Sequence, residues 1–186
     1  NTTGGRNTAS GSQSLFSNNE GADNTGVGSR ALFTNTTGTE NTAIGASALY
    51  DNSTGHSNTA IGYASMQSNS TGVNNTAVGV AAMASNTAGS ENTAIGIFAL
   101  LGNNYGARNV AIGLNTLGSN AFGNDNTVGG NGAMFYNVAG NYNTAWGREA
   151  LVNSTSDHNT GIGYYAASTT VSGFKNTSLG AYSLVV

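Results

Sequence analysis

The 186-residue chain contains no cysteine and no proline. Without cysteine, it can form neither a disulfide framework nor a zinc knuckle, and it has no thiol nucleophile. Only 7% of the residues are charged, and five lysines and arginines are too few for the basic stripe that nucleic acid requires. No apolar run approaches the roughly 20 residues that cross a bilayer as a helix. We therefore expect no nucleic-acid partner and no membrane span.

Glycine is abundant, with 28 residues, and asparagine is about as frequent. Hydrophobic residues nevertheless make up 38% of the chain, and they recur regularly within a 17-residue unit that starts at Asn7. The unit reads N-T-A-I-G-x-x-A-L-x-x-N-S/T-x-G-x-x, and one step, from Asn143 to Asn159, is a residue shorter. Because the repeat fills the chain without a linker, we predict one repeat domain over residues 1–186, with about ten coils and a partial last one.

A unit of this length is too short for two helices, and glycine at its fifth and fifteenth positions would break a helix twice. The pattern therefore predicts an all-β fold, a parallel β-solenoid or β-roll with one unit per coil. We expect two short strands in each coil, each paired with the coils above and below at about 4.8 Å. Both glycines are expected to turn the chain, with positive φ.

Two columns of large apolar residues are predicted to form the core. β-Branched residues recur at the fourth position of the unit, and leucine or methionine recurs at the ninth. We expect these columns to face each other, with alanine at the third and eighth positions keeping the two walls close. Asparagine at the first and twelfth positions should form two ladders along the solenoid. The predicted core residues are Ile44, Leu49, Ile61, Met66, Val78, Met83, Ile95, Leu100, Ile112 and Leu117.

Residues that could support catalysis are few and far apart. His56 and His158 are the only histidines and lie about six coils from each other. Glu40 and Glu91 lie three coils apart, beyond the roughly 5–9.5 Å that separates the carboxyl groups of glycoside hydrolases. A G-x-G-x-x-A motif at residues 26–31 follows the repeat rather than opening a helix. We therefore predict a non-enzymatic protein with no catalytic residues, no metal ligands and no cofactor.

Further large apolar residues occur at the variable sixth, seventh, tenth and eleventh positions. Each coil would bury only about two large side chains, so burial of another face against further copies would stabilise the fold. We expect these variable columns to form a subunit interface. A second group of aromatic residues lies where the repeat is least regular, and we expect it to contact surface glycans: Tyr105, Phe122, Phe135, Tyr136, Tyr142 and Trp146.

The repeated N-T-A-I-G-x-x-A-L sequence resembles the repeats of bacteriophage tail-fibre proteins and of bacterial surface proteins with tail-fibre-like regions. It is also similar to the shorter S-V-A-I-G repeats in the heads of trimeric autotransporter adhesins. The resemblance covers nearly the whole chain. It implies a left-handed β-roll, a homotrimer and an extracellular location, in a virion tail fibre or on a bacterial cell surface. It implies no catalytic residue.

The leading hypothesis is a structural fibre or adhesin segment that contacts surface glycans. One alternative is a self-assembling extracellular filament, because neither end of the array shows an obvious cap and coils of successive copies could stack. Another is an ice-binding solenoid, because threonine at the second position forms a rank at coil spacing. An ice-binding face needs two outward ranks, however, and the second position shares strand parity with the fourth, which is predicted to point inward.

Overall fold

The computed structural model describes residues 3–169 and 172–184, and eleven parallel strands run through this part of the chain. They form one sheet in chain order, and paired strands are in register, so that Thr42 lies beside Thr59 and Ile44 beside Ile61. The described residues include no helix, and the predicted all-β parallel solenoid with a 17-residue repeat is confirmed. The strands are β1 Thr8–Ser10, β2 Thr25–Val27, β3 Thr42–Ile44, β4 Thr59–Ile61, β5 Thr76–Val78, β6 Thr93–Ile95, β7 Val110–Ile112, β8 Thr127–Gly129, β9 Thr144–Trp146, β10 Thr160–Ile162 and β11 Thr177–Leu179.

Each coil contains one strand, and the prediction of two was wrong. The wall opposite the sheet consists of turns, in which the seventh and ninth residues of the unit have a left-handed backbone, as in Ser47 and Leu49 with φ of 57° and 49°. Left-handed residues interrupt an extended chain, so no second strand forms. The turns still stack through backbone hydrogen bonds, for example from Leu32 N to Ala48 O at 3.0 Å.

The core lies between the sheet and the stacked turns, and only one of the two predicted columns reaches it. The ninth-position residues are fully buried, as predicted: Leu49, Met66, Met83, Leu100 and Leu117. The fourth-position residues are not in the core. Ile44, Ile61, Ile95 and Ile112 are 38–41% exposed and Val78 is half-buried, so the prediction was wrong for these five.

Strand alternation explains the error. Ala43 and Ala60, at the third position, are completely buried. Because successive residues of a strand point to opposite faces, the second and fourth positions must then point outward. The space opposite the ninth position is also small: a β-carbon added at Gly161 would lie 2.8 Å from Leu151 Cγ. Alanine is therefore the usual inward residue, and the larger isoleucine is placed outside.

Two ladders of buried asparagines run along the solenoid, as predicted. In the first ladder, Asn41 Nδ2 donates to Asn24 Oδ1 at 3.1 Å, and in the second, Asn52 Nδ2 donates to Asn35 Oδ1 at 2.7 Å. Both amides also donate to the carbonyl oxygen of Gly55, at 2.8 and 3.0 Å. Every buried side-chain nitrogen and oxygen atom in the described chain has a hydrogen-bond partner.

The two glycines of the unit have different roles. Gly45, at the fifth position, has the predicted positive φ, at 137°. Gly55, at the fifteenth position, does not, and that prediction was wrong. A β-carbon at Gly55 would instead overlap Asn52 Oδ1 and approach the Gly72 carbonyl oxygen to 2.6 Å. The second glycine is therefore required by the close approach of the asparagine ladder rather than by backbone conformation.

The shorter coil, residues 143–158, keeps the register of the sheet. Thr144 of β9 still pairs with Thr160 of β10, although the step between them is sixteen residues. The lost residue is absorbed outside the strand, where Ser154 occupies the place of the second-ladder asparagine and accepts from Asn159 Nδ2 at 3.4 Å. The sheet therefore continues through the irregular unit.

Candidate functional surface

The outer side of the sheet, called the sheet face below, consists of the outward side chains at the second and fourth positions of β1–β11. Its first row is mainly threonine: Thr8, Thr25, Thr42, Thr59, Thr76, Thr93, Val110, Thr127, Thr144, Thr160 and Thr177. Its second row is mainly aliphatic: Ser10, Val27, Ile44, Ile61, Val78, Ile95, Ile112, Gly129, Trp146, Ile162 and Leu179. Because neighbouring strands pair in register, both rows are continuous along the sheet.

The sheet face carries no charge, since none of the five basic and eight acidic residues of the chain lies in a strand. Its aliphatic row stays continuous even at Gly129, because the indole of Trp146 from the next coil covers that glycine. Trp146 is still 43% exposed. The result is an uncharged strip of mainly aliphatic side chains from β2 to β11, which the sequence prediction missed. The alanines at the third position are the signal that could have revealed it.

The six aromatic residues proposed to contact glycans occupy different positions around the coil. Tyr105 and Phe122 stack in the same column of adjacent coils, with ring centres 5.6 Å apart. Tyr142 stacks on His158 at 4.9 Å, and Trp146 belongs to the sheet face. The six residues therefore do not form the single cluster that was predicted.

Phe135 and Tyr136, by contrast, pack edge to face on the turn side of their coil, with ring centres 4.9 Å apart. Glu149 lines the same cavity as these two rings. Arg148 Nε lies 3.2 Å from Glu149 Oε1, and a hydrogen bond to Glu149 raises the pKa of Tyr165. This carboxylate thus has a cation and a hydroxyl as partners.

Two further ion pairs lie along the seventeenth column. Arg108 binds Asp125 through two hydrogen bonds of 2.7 and 2.9 Å, and these lower the pKa of Asp125. Arg6 binds Asp23 in the same way. Exposed pairs of this kind link neighbouring coils and contribute little to stability.

Residues 3–169 and 172–184 contain no group of three histidines or acids arranged to hold a metal ion. The same residues contain no helix long and apolar enough to span a membrane.

No protein-family model, no curated protein and no solved structure matches the chain.

Proposed function

We propose that the protein is a non-enzymatic structural segment of an extracellular fibre, and that its copies associate side by side through the sheet face. The observation that supports this most strongly is the continuous, uncharged and mainly aliphatic row on the in-register strands β2–β11. Soluble proteins rarely expose apolar patches of such extent unless the patch binds a partner.

The subunit interface expected from the sequence, at the variable sixth, seventh, tenth and eleventh positions, stays a prediction. We propose the sheet face instead, because its surface is suited to a second copy of itself. It is a regular surface without charges, so two copies can approach without leaving a buried ion unpaired. Ile44, Ile61 and Ile95 each retain about 40% exposure, and association would remove that apolar area from water at about 25 cal/mol per Å². An isologous or cyclic arrangement would cover the row in every copy.

The resemblance to tail-fibre and adhesin repeats makes the proposal more specific. On that basis we propose a left-handed solenoid and a homotrimer, located in a virion tail fibre or on a bacterial surface. Lateral association through the sheet face differs from the filament alternative, in which coils of successive copies stack end to end. The two arrangements bury different surfaces, so a charge on the sheet face disrupts only the first.

Light scattering over a range of protein concentrations tests the proposal. We expect a mass of about three times 18.6 kDa that does not change on dilution. The double variant Ile61→Lys/Ile95→Lys should give a folded monomer, because both side chains are outside the core. Thr71→Lys, an exposed turn substitution, is the control and should keep the wild-type mass. A wild-type monomer at every concentration would contradict the proposal, and a mass that grows with concentration would favour the filament.

Ice binding is a second candidate, and the outward fourth position favours it. The sequence prediction against it was that the threonine rank shares the inward orientation expected for the fourth position, whereas both the threonine row and the aliphatic row lie on the sheet face. Thermal hysteresis at millimolar concentration is the test. Thr59→Lys/Thr76→Lys should abolish the hysteresis of an ice-binding monomer, and Thr71→Lys should preserve it. Absence of hysteresis in the wild-type protein removes this candidate.

A further inference from the structure

The seventh position of the unit forms a row of left-handed residues along the turn side. Its members have φ values near 50–58°: Gln13, Arg30, Ser47, Ala64, Ala81, Phe98, Asn115, Glu149, Tyr165 and Tyr182. One coil departs from this row, because Gly132 takes the position with φ of 65° and provides no side chain. A gap therefore opens between Asn115 on one side and Glu149 on the other.

This gap, called the Gly132 notch below, is an open cavity of about 260 Å³. Asn115, Asn131 and Glu149 provide its polar lining. Phe135, Tyr136 and Val152 provide its apolar lining. The volume is close to the lower end of the roughly 300–1,000 Å³ typical of small-molecule sites, which suits a ligand the size of one ring.

A second glycine shapes the aromatic side of the notch. At Gly118, one coil before Phe135, a β-carbon would lie 2.6 Å from Phe135 Cε2. The ring therefore occupies space that any other residue at position 118 would fill. Tyr136 packs edge to face against Phe135 and is 55% exposed, so it presents ring surface to solvent.

The polar groups of the notch favour a neutral ligand with several hydroxyls. The Glu149 carboxylate accepts hydrogen bonds, and the two asparagine amides can each donate and accept. Arg148 offsets the charge of Glu149 at 3.2 Å, so the notch has no strong preference for a free cation. Aromatic rings beside such groups bind the apolar C–H face of a ring while its hydroxyls reach the polar lining.

We propose that the Gly132 notch binds one ring of a neutral saccharide. The proposal does not depend on association through the sheet face, because the seventh, tenth and eleventh positions of the unit lie outside the strands that form that face. It also narrows the predicted glycan-contact group to Phe135 and Tyr136, and adds Asn115, Asn131 and Glu149, which the sequence prediction did not include.

Saturation-transfer NMR with the methyl glycosides of glucose, galactose, mannose and N-acetylglucosamine tests the site. We expect saturation transfer to at least one glycoside with the wild-type protein. Gly132→Asn should abolish it, because the new side chain fills the notch. This variant should fold, since Asn115 has the same left-handed backbone at the equivalent position and a β-carbon at Gly132 approaches only Glu149 Cγ, at 3.3 Å.

Ala81→Asn is the matched control, because it adds the same side chain at the equivalent left-handed position about three coils away from the notch. It should keep the wild-type signal. Glu149→Gln should weaken binding about tenfold, as expected for loss of a hydrogen bond to a charged group. The proposal is overturned if no glycoside receives saturation from the wild-type protein. It is also overturned if Gly132→Asn and Ala81→Asn give equal signals. The mass in solution should be unchanged in all three variants. Loss of glycoside binding therefore tests the notch alone, and the fibre proposal is tested separately by light scattering.

Discussion

Asn41 and Asn52 donate to the same backbone oxygen, that of Gly55, at 2.8 and 3.0 Å. The first belongs to the ladder beside the sheet, and the second belongs to the ladder that follows the stacked turns. Each also donates to the asparagine of the preceding coil. The two ladders are therefore linked within every regular coil as well as along the solenoid, and they close the coil around a core of few large side chains.

Asn52→Ala should lower the free energy of unfolding by about 2–4 kcal/mol. The substitution removes the donor to Asn35 Oδ1 and the acceptor for Asn69 Nδ2, at 2.7 and 2.8 Å. A buried polar group that loses its partner costs about 1–3 kcal/mol. Urea unfolding followed by circular dichroism measures the change. Asn131→Ala, at an exposed asparagine, is the control, and equal losses in both variants would contradict the structural role of the ladder.

Gly55→Ala should destabilise the fold severely, although its backbone angles are ordinary. Its β-carbon would overlap Asn52 Oδ1 and press against the Gly72 carbonyl oxygen, so both the ladder and the next coil must move. Overpacking of a buried site typically costs about 1–3 kcal/mol, and a broken ladder bond adds to this cost. Gly5→Ala is the matched control, because nothing lies within 4 Å of its added β-carbon. A thermal melt of Gly55→Ala close to that of Gly5→Ala would exclude steric crowding as the reason for this glycine.

Leu49→Ala and Ile44→Ala should differ strongly, and the comparison tests which wall of the coil is the core. Leu49 is fully buried, so its truncation should cost about 2–5 kcal/mol. Ile44 is 41% exposed, so its truncation in the dissociated chain should cost under about 1 kcal/mol. Unfolding at several protein concentrations separates intrinsic stability from association. A larger loss for Ile44→Ala at the lowest concentration would place the core on the other side of the strand.

Asp51→Asn should raise the melting temperature at neutral pH. Desolvation raises the pKa of Asp51 above its ordinary value of 3.8, so the folded state binds this proton more readily than the unfolded state. Stability therefore falls as pH rises through the interval between the two pKa values, and the penalty persists at higher pH. The advantage of the variant should disappear at about pH 3, where both states are protonated.

Asp23→Asn should change the melting temperature in the opposite direction, and it serves as the comparison for Asp51→Asn. The hydrogen bond from Arg6 lowers the pKa of Asp23, so its carboxylate stabilises the folded state above the ordinary pKa and loses this effect as pH falls. The variant should melt at a slightly lower temperature than wild type at neutral pH and equally at low pH. Shifts of the same sign in both variants would contradict these assignments.

The repeat period predicted the architecture correctly, because a 17-residue step with two breaking glycines leaves few alternatives to a parallel solenoid. The same reasoning correctly placed Leu49 and Met66 in the core and asparagine in two ladders. It failed for Ile44, because hydrophobicity was taken to indicate burial, whereas strand parity with buried Ala43 forces the fourth position outward. The interior is too narrow for isoleucine opposite the ninth position, so alanine points inward and isoleucine points outward.

The turn side was harder to predict, because most of its left-handed positions are occupied by residues other than glycine. Leu49 and Ser47 adopt left-handed angles that sequence rules assign to glycine or asparagine, so the pattern suggested a second strand. The Gly132 notch arises from the absence of a side chain in a row that becomes visible only when the coils are superimposed. Its lining comes from three coils, and residues such as Asn115 and Glu149 carry no local motif that would connect them.

Because successive strands pair in the same register, the fold does not depend on the number of coils. Loss or duplication of a whole unit would leave each remaining coil with partners equivalent to those it had before, such as Thr42 beside Thr59. The coil of residues 143–158 shows how a single lost residue is accommodated, at a turn where serine takes the place of an asparagine. Unequal recombination between repeats can therefore add or remove whole coils. The length of the solenoid can change in this way during evolution while the core of each coil stays the same.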